Sequence, residues 1–169
     1  MRAEASRRGG DLLAVIGAIA LFAGLVGFRW YGGSATASSV AGVDIGAGFA
    51  RSGWQAFTDS RWIWLATVVL ALATVAASGD GMGRWAAAGP RALLAALAGI
   101  SVALIAYRVV HHQPSGSGAG VAFHAAGAVR GGIWFGLAAA CAIGAGACVA
   151  LFGALELGRS GTEPPGGSP

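Results

Sequence analysis

Three tryptophans, a phenylalanine and an Asp/Arg pair crowd the stretch SGWQAFTDSRWIWL, residues 52–65, at the entrance to an apolar run. Trp54, Phe57 and Asp59 precede the run itself, so they are more than its apolar filling. Similar residues recur elsewhere: Trp30 and Tyr31 after the first apolar run, Tyr107 and Arg108 closing the third, Arg130, Trp134 and Phe135 opening the fourth. Indole and phenol rings favour the headgroup level of a bilayer, so this set reads as an aromatic girdle or as a ligand site built on one. Asp59, near the start of a helix, suits the positive end of the helix dipole. Arg61, two positions on, lies off its helix face, which makes Arg108 or Arg130 the expected ion-pair partner.

Other chemistries find less support. There is no G-x-S-x-G elbow, no phosphate loop with its lysine and no H-E-x-x-H, so catalysis and cofactors are not expected. His111, His112 and His124 share one connection, but no carboxylate accompanies them and no metal site is expected. Cys141 and Cys148 lie seven residues apart, about 10.5 Å along a helix, too far for a disulfide, and read as small packing residues. The polar residues inside the apolar runs are Thr67, Thr74 and Ser101, whose hydroxyls can bond to the preceding helical turn. Mid-depth charge, the usual mark of an ion pathway, is missing.

These residues sit on a membrane-type chain. Hydrophobic residues make up 56% of the 169 and charged residues 11%, against roughly a quarter in a soluble domain. All eleven basic residues are arginine, and the net charge of +4 is spread along the chain, without the basic patch of a nucleic-acid binder. Four apolar segments, 12–28, 62–78, 92–110 and 132–155, are each about long enough to cross a hydrocarbon core of roughly 30 Å. The expected fold is all-α, a transmembrane four-helix bundle. Residues 1–11 form a cytoplasmic lead and residues 156–169 a disordered tail. Pro90 suits the opening of the third helix, and ATASSVAGVDIGAGFA, within 29–61, suits a strand or hairpin. Arginines before the first span and in the short 79–91 loop favour both termini in the cytoplasm of a cell-membrane protein. A competing reading takes residues 1–37 as a cleaved signal with an A-x-A site at 35–37, although the polar FRWYGG intervenes.

Lipid gives helices no hydrophobic reason to associate, so small residues must allow close approach. Gly132, Gly136, Ala140, Gly144 and Cys148 recur every four residues as one ridge, and Ala142, Gly146, Ala150 and Ala154 as another. Ala95, Gly99 and Ala103 form a third and Ala20 with Gly24 a fourth. Such ridges serve packing within the chain, a homo-oligomer or a membrane protein partner.

Trp30-Tyr31, GWQAF with Asp59, YRV at 107–109 and GGIWFGLAAA at 131–140 resemble a group of uncharacterised actinobacterial four-span membrane proteins. In that group an aromatic PWY-like exit is followed by a Gly-Trp-x-Ala-Phe lead-in and an acid. Phe28 and Arg29 here depart from the Leu-Pro type residues expected before Trp-Tyr. The resemblance covers residues 28–154 and implies four spans with an outer motif cluster, without an activity. The expected role is a non-enzymatic structural or accessory partner in the bilayer, the alternative a transporter or channel subunit for a neutral or lipidic solute.

Overall fold

The structure, a computed structural model, describes residues 2–38, 44–56, 60–77, 84–111, 117–118 and 121–160. Its order is α1 (Arg2–Gly27), β1 (Arg29–Ser38), β2 (Asp44–Ser52), α2 (Gly53–Ala56), α3 (Arg61–Ala76), α4 (Arg84–Val110), β3 (Ser117–Gly118), β4 (Val121–Val129) and α5 (Gly131–Ser160). Every apolar segment forms a helix. Three stretches, Glu4–Gly27, Ala88–Val110 and Gly131–Glu156, are long and apolar enough to cross a membrane, which makes this a membrane protein by helix length and composition. The fourth, α3, has 16 residues, about 24 Å of rise and so some 6 Å less than a typical hydrocarbon core.

Each long helix packs along two others: α1 on α5 and α3, and α4 on α5 and α3. The buried positions follow a spacing of three and four. They are Ala14, Ala18, Leu21 and Leu25 in α1, Trp64, Thr67, Val68, Ala71 and Thr74 in α3, Leu94, Ala98, Ser101 and Ile105 in α4, and Ile133, Ala140, Ile143, Ala147 and Ala150 in α5. Outward positions carry the larger apolar chains, among them Ile16, Phe22, Val69, Ile100 and Phe152. Bulky hydrocarbon on the outward face is the reverse of the soluble pattern, and so much continuous exposed apolar surface calls for lipid.

The closest approach joins α1 and α5. A Cβ added at Gly10 would stand 2.6 Å from the Gly146 carbonyl oxygen and the Ala150 nitrogen, and one at Gly146 would stand 2.6 Å from the Gly10 oxygen. At Gly17 it would meet Ile143 at 2.9 Å. Backbones this close leave no room for a Cβ at Gly10 or Gly146 in this register. α3 and α4 are joined by hydroxyls. Thr67 Oγ1 donates to the Ile63 carbonyl at 2.8 Å and lies 3.2 Å from Ser101 Oγ. A hydroxyl has one proton, so Ser101 is the donor between the helices.

The two longest connections form a sheet, which extends the strand or hairpin expected within 29–61 and adds to the helical frame. Its order is β2-β1-β4-β3, with antiparallel neighbours. β1 is central, running from Tyr31 paired with both Arg51 and Val129 to Ala37 paired with both Ile45 and Phe123. The 35–37 segment thus lies in a strand bonded on both sides, and a cut there would separate α1 from its sheet. The sheet grows from the end where α1 and α4 finish and α3 and α5 begin.

Several boundaries differ from the sequence reading. α4 starts at Arg84, so Pro90 is inside the helix and leaves the Ala86 carbonyl without its usual donor. α5 continues through Ser160, taking in residues expected in the tail, and 161–169 lie outside the described residues. α1 starts at Arg2, so the expected lead at 1–11 is helical from its second residue.

Candidate functional site

Trp30 organises the sheet end. It was expected as an interfacial anchor, yet it is 0% exposed. Its indole Nε1 donates at 2.7 Å to the Gly24 carbonyl in the last turn of α1, an oxygen that also accepts the Phe28 N–H at 3.4 Å. Its carbonyl accepts the Arg130 backbone N–H at 2.9 Å, fixing the entry to α5. Three glycines form its cradle: a Cβ at Gly53 would stand 2.7 Å from the ring, one at Gly132 2.9 Å and one at Gly136 2.5 Å. Trp64 of α3, likewise fully buried rather than an anchor, stacks on it with centroids 5.4 Å apart and planes inclined by 29°. One side chain therefore joins α1, β1, α2, α3 and α5, and Gly132 and Gly136 serve it instead of a helix partner.

The rest of the expected α5 ridge diverges. Ala140 is buried, a Cβ added at Gly144 would stand 3.5 Å from the Ala98 methyl of α4, and Cys148 is exposed. A strict four-residue repeat advances about 40° per step around a helix, so five such positions sweep some 160° and cannot share one face. Cys141 is also exposed, so neither cysteine is the packing residue expected. Gly99, expected on the α4 ridge, has nothing near it, and Ala103 is exposed.

Tyr31 is half-buried beside the end of α4. Burial pushes its phenol above the ordinary value, and the Arg108 charge opposes that rise. Arg108 and Arg130 are exposed, and Trp134, at 56% exposure, is placed as an interfacial anchor would be. Phe135 meets Phe28 with centroids 4.8 Å apart.

Trp54 is brought into place by a capping box, a local sequence signal beyond those expected from the aromatic and charged residues. In SGWQ, the Ser52 Oγ accepts the Gln55 N–H at 3.4 Å, and the Gln55 Oε1 accepts the Ser52 N–H at 3.3 Å. The box turns the chain from β2 into α2. Trp54 then meets Trp62 edge-on at 6.3 Å, with the Arg61 guanidinium 5.0 Å from the first ring and 5.2 Å from the second. Phe57 and Asp59 lie outside the described residues, and with Asp59 so does the expected ion pair to Arg108 or Arg130.

An ion pair that was not anticipated joins α1 to α4. Asp11 and Arg91 meet in a two-point contact, Arg91 Nε donating to Oδ1 at 3.1 Å and Nη2 to Oδ2 at 2.8 Å, with the arginine side chain 2% exposed. Asp11 lies about 24 Å below the end of α1 and Arg91 about 28 Å below the end of α4, so the pair sits near the far border of the apolar zone. The charges flank the two apolar segments, and their placement before residues 12 and 92 was the signal available.

His111 stacks on Tyr107 at 4.3 Å, while His112 lies outside the described residues and the His124 side chain is not described. Among the described residues, no cluster of three metal-binding side chains occurs. Compared with known proteins, the chain matches no family model and no curated protein sequence.

Proposed function

We propose that the chain is a transmembrane four-helix bundle of the cell membrane, with both termini cytoplasmic, acting as a non-enzymatic structural or accessory partner that presents its sheet outside. Taking α3 as the fourth span requires a hydrocarbon layer about 6 Å thinner locally or apolar flanks to complete it, a modest mismatch. Trp62 and Trp134, both exposed, would then mark the outer interface.

The observation that carries the reading is the filled axis. Leu21, Leu25, Val68, Leu94, Ile105 and Ile143 occupy the space between the helices, with Trp30 at one end and the Asp11–Arg91 pair at the other. A transporter or channel subunit for a neutral or lipidic solute would have to part these contacts, whereas a structural partner needs them closed. The test is photocrosslinking in native membranes from a probe at position 54, alongside solute flux in proteoliposomes. Capture of one specific protein with flux at background supports the partner role. Saturable flux of a neutral solute would overturn it.

A further inference from the structure

The trio Trp54, Arg61 and Trp62 is left over once Trp30 and the Asp11–Arg91 pair have been assigned to holding the fold together. The Arg61 guanidinium stands over two indole rings that touch each other edge-on. Among the described residues the ion pairs are Glu4–Arg8 and Asp11–Arg91, so no described carboxylate neutralises Arg61. Ring faces attract a guanidinium and restrain its long side chain, while its N–H edge remains the part that suits an acceptor. Such an edge matches the oxygen pair of a phosphate, which it can engage with two parallel hydrogen bonds.

Location narrows the phosphate further. Arg61 is the first residue of α3, and the residues after it through Ala76 are uncharged, with Thr67 and Thr74 the polar ones. Its guanidinium therefore lies where hydrocarbon gives way to headgroups, the level that indoles also favour. Ser60 provides no side-chain cap, so the positive end of the α3 dipole faces the same region. Trp62, 57% exposed, stands on the outer surface of the helices, open to a lipid chain alongside the headgroup.

We propose that Trp54, Arg61 and Trp62 form a binding site for the phosphate of an anionic phospholipid headgroup. The proposal rests on α3 spanning the bilayer, as in the function proposed above. A phosphate whose lipid carries no cation of its own is free to compensate the Arg61 charge, which no described carboxylate neutralises, so an anionic lipid is preferred over a zwitterionic one.

The test is native mass spectrometry of the full chain in detergent, titrated with phosphatidylglycerol, with phosphatidylcholine, and with phosphatidylglycerol in the presence of inorganic phosphate. One tightly retained phosphatidylglycerol is expected. Arg61→Gln should weaken it about tenfold, the value of one charge-assisted contact, and Arg61→Lys should recover only part, because an ammonium lacks the planar fork. Arg130→Gln, an exposed arginine at the same end, should leave it unchanged. Equal loss in the Arg61 and Arg130 variants, equal retention of phosphatidylcholine, or displacement by millimolar phosphate would each overturn the proposal, the last by identifying free phosphate as the ligand. Separately, in a background lacking Cys141 and Cys148, single cysteines replacing Trp54 and Ala77 should label from opposite sides of a vesicle. Labelling from one side would defeat the spanning reading of α3 without altering the lipid count.

Discussion

Removing either partner of the Asp11–Arg91 pair should cost more than removing both. The arginine is 2% exposed, and two hydrogen bonds of 3.1 and 2.8 Å hold it to the carboxylate, so neither charge is appreciably screened by water. Breaking such a pair on one side leaves an uncompensated buried charge, typically about 3–5 kcal/mol, whereas replacing both members by apolar side chains of similar volume is often neutral or stabilising. Asp11→Leu should be the worse single change, because a carboxylate can shed its charge by taking a proton and a guanidinium cannot. The assay is reversible unfolding in mixed micelles against rising SDS fraction. The double variant Asp11→Leu/Arg91→Met should recover most of the loss, giving a coupling energy well above the 0.5 kcal/mol expected of independent sites. Single variants within about 0.5 kcal/mol of the native chain, or losses that simply add in the double variant, would refute the buried-pair reasoning.

The glycine cradle gives a second expectation. Gly136→Ala places a Cβ 2.5 Å from the Trp30 ring and should cost about 1–3 kcal/mol in the same unfolding assay, whereas Gly99→Ala, with open space around it, should be neutral or slightly stabilising through helix propensity. Equal effects at the two positions would discard the cradle. A third expectation concerns alkali. A phenol whose folded pKa is raised supports the fold below its ordinary value near 10, and that support is lost as pH climbs through the folded value, so native stability should fall faster than that of Tyr31→Phe above about pH 10. The phenolate absorbance lost in Tyr31→Phe identifies the Tyr31 transition, and Arg108→Gln should delay it further.

The helices were legible because each apolar run is long and uninterrupted, and length alone decides what such a run can do. Faces were harder to read. Spacing every four residues grouped Gly132 with Cys148, but a packed helix keeps one side inward only when steps of three and four alternate, as Gly10, Ala14, Gly17, Leu21 and Gly24 do. Tryptophan was misread for a related reason. Interfacial preference describes an isolated indole, and it was overridden at Trp30 by glycines that open a space of ring size and by a carbonyl placed to accept the N–H, and at Trp64 by a buried stack on Trp30. The Asp11–Arg91 contact joins residues 80 apart, so no local pattern could pair them, although a charge bordering each of two apolar segments was a sign that both needed partners. Ser52 and Gln55 show the reverse: the capping box was fully local and could have been read directly.

The ion pair also answers a question that the glycine seam leaves open. In lipid, a seam of small residues brings two backbones together but tolerates sliding, because a helix shifted by one turn, about 5.4 Å, presents nearly the same smooth surface. α1 and α4 both pack against α5 and α3, and the Asp11–Arg91 contact crosses between them. A one-turn slip of α1 would separate charges that meet at 2.8 Å and leave both in an apolar setting, while the glycine contacts could re-form nearby. The pair therefore acts on register, where the seam acts on proximity. The double apolar variant separates the two contributions: it should keep its stability yet yield cross-links between α1 and α5 in more than one register, whereas a single register in that variant would leave the glycine contacts sufficient to set the alignment by themselves.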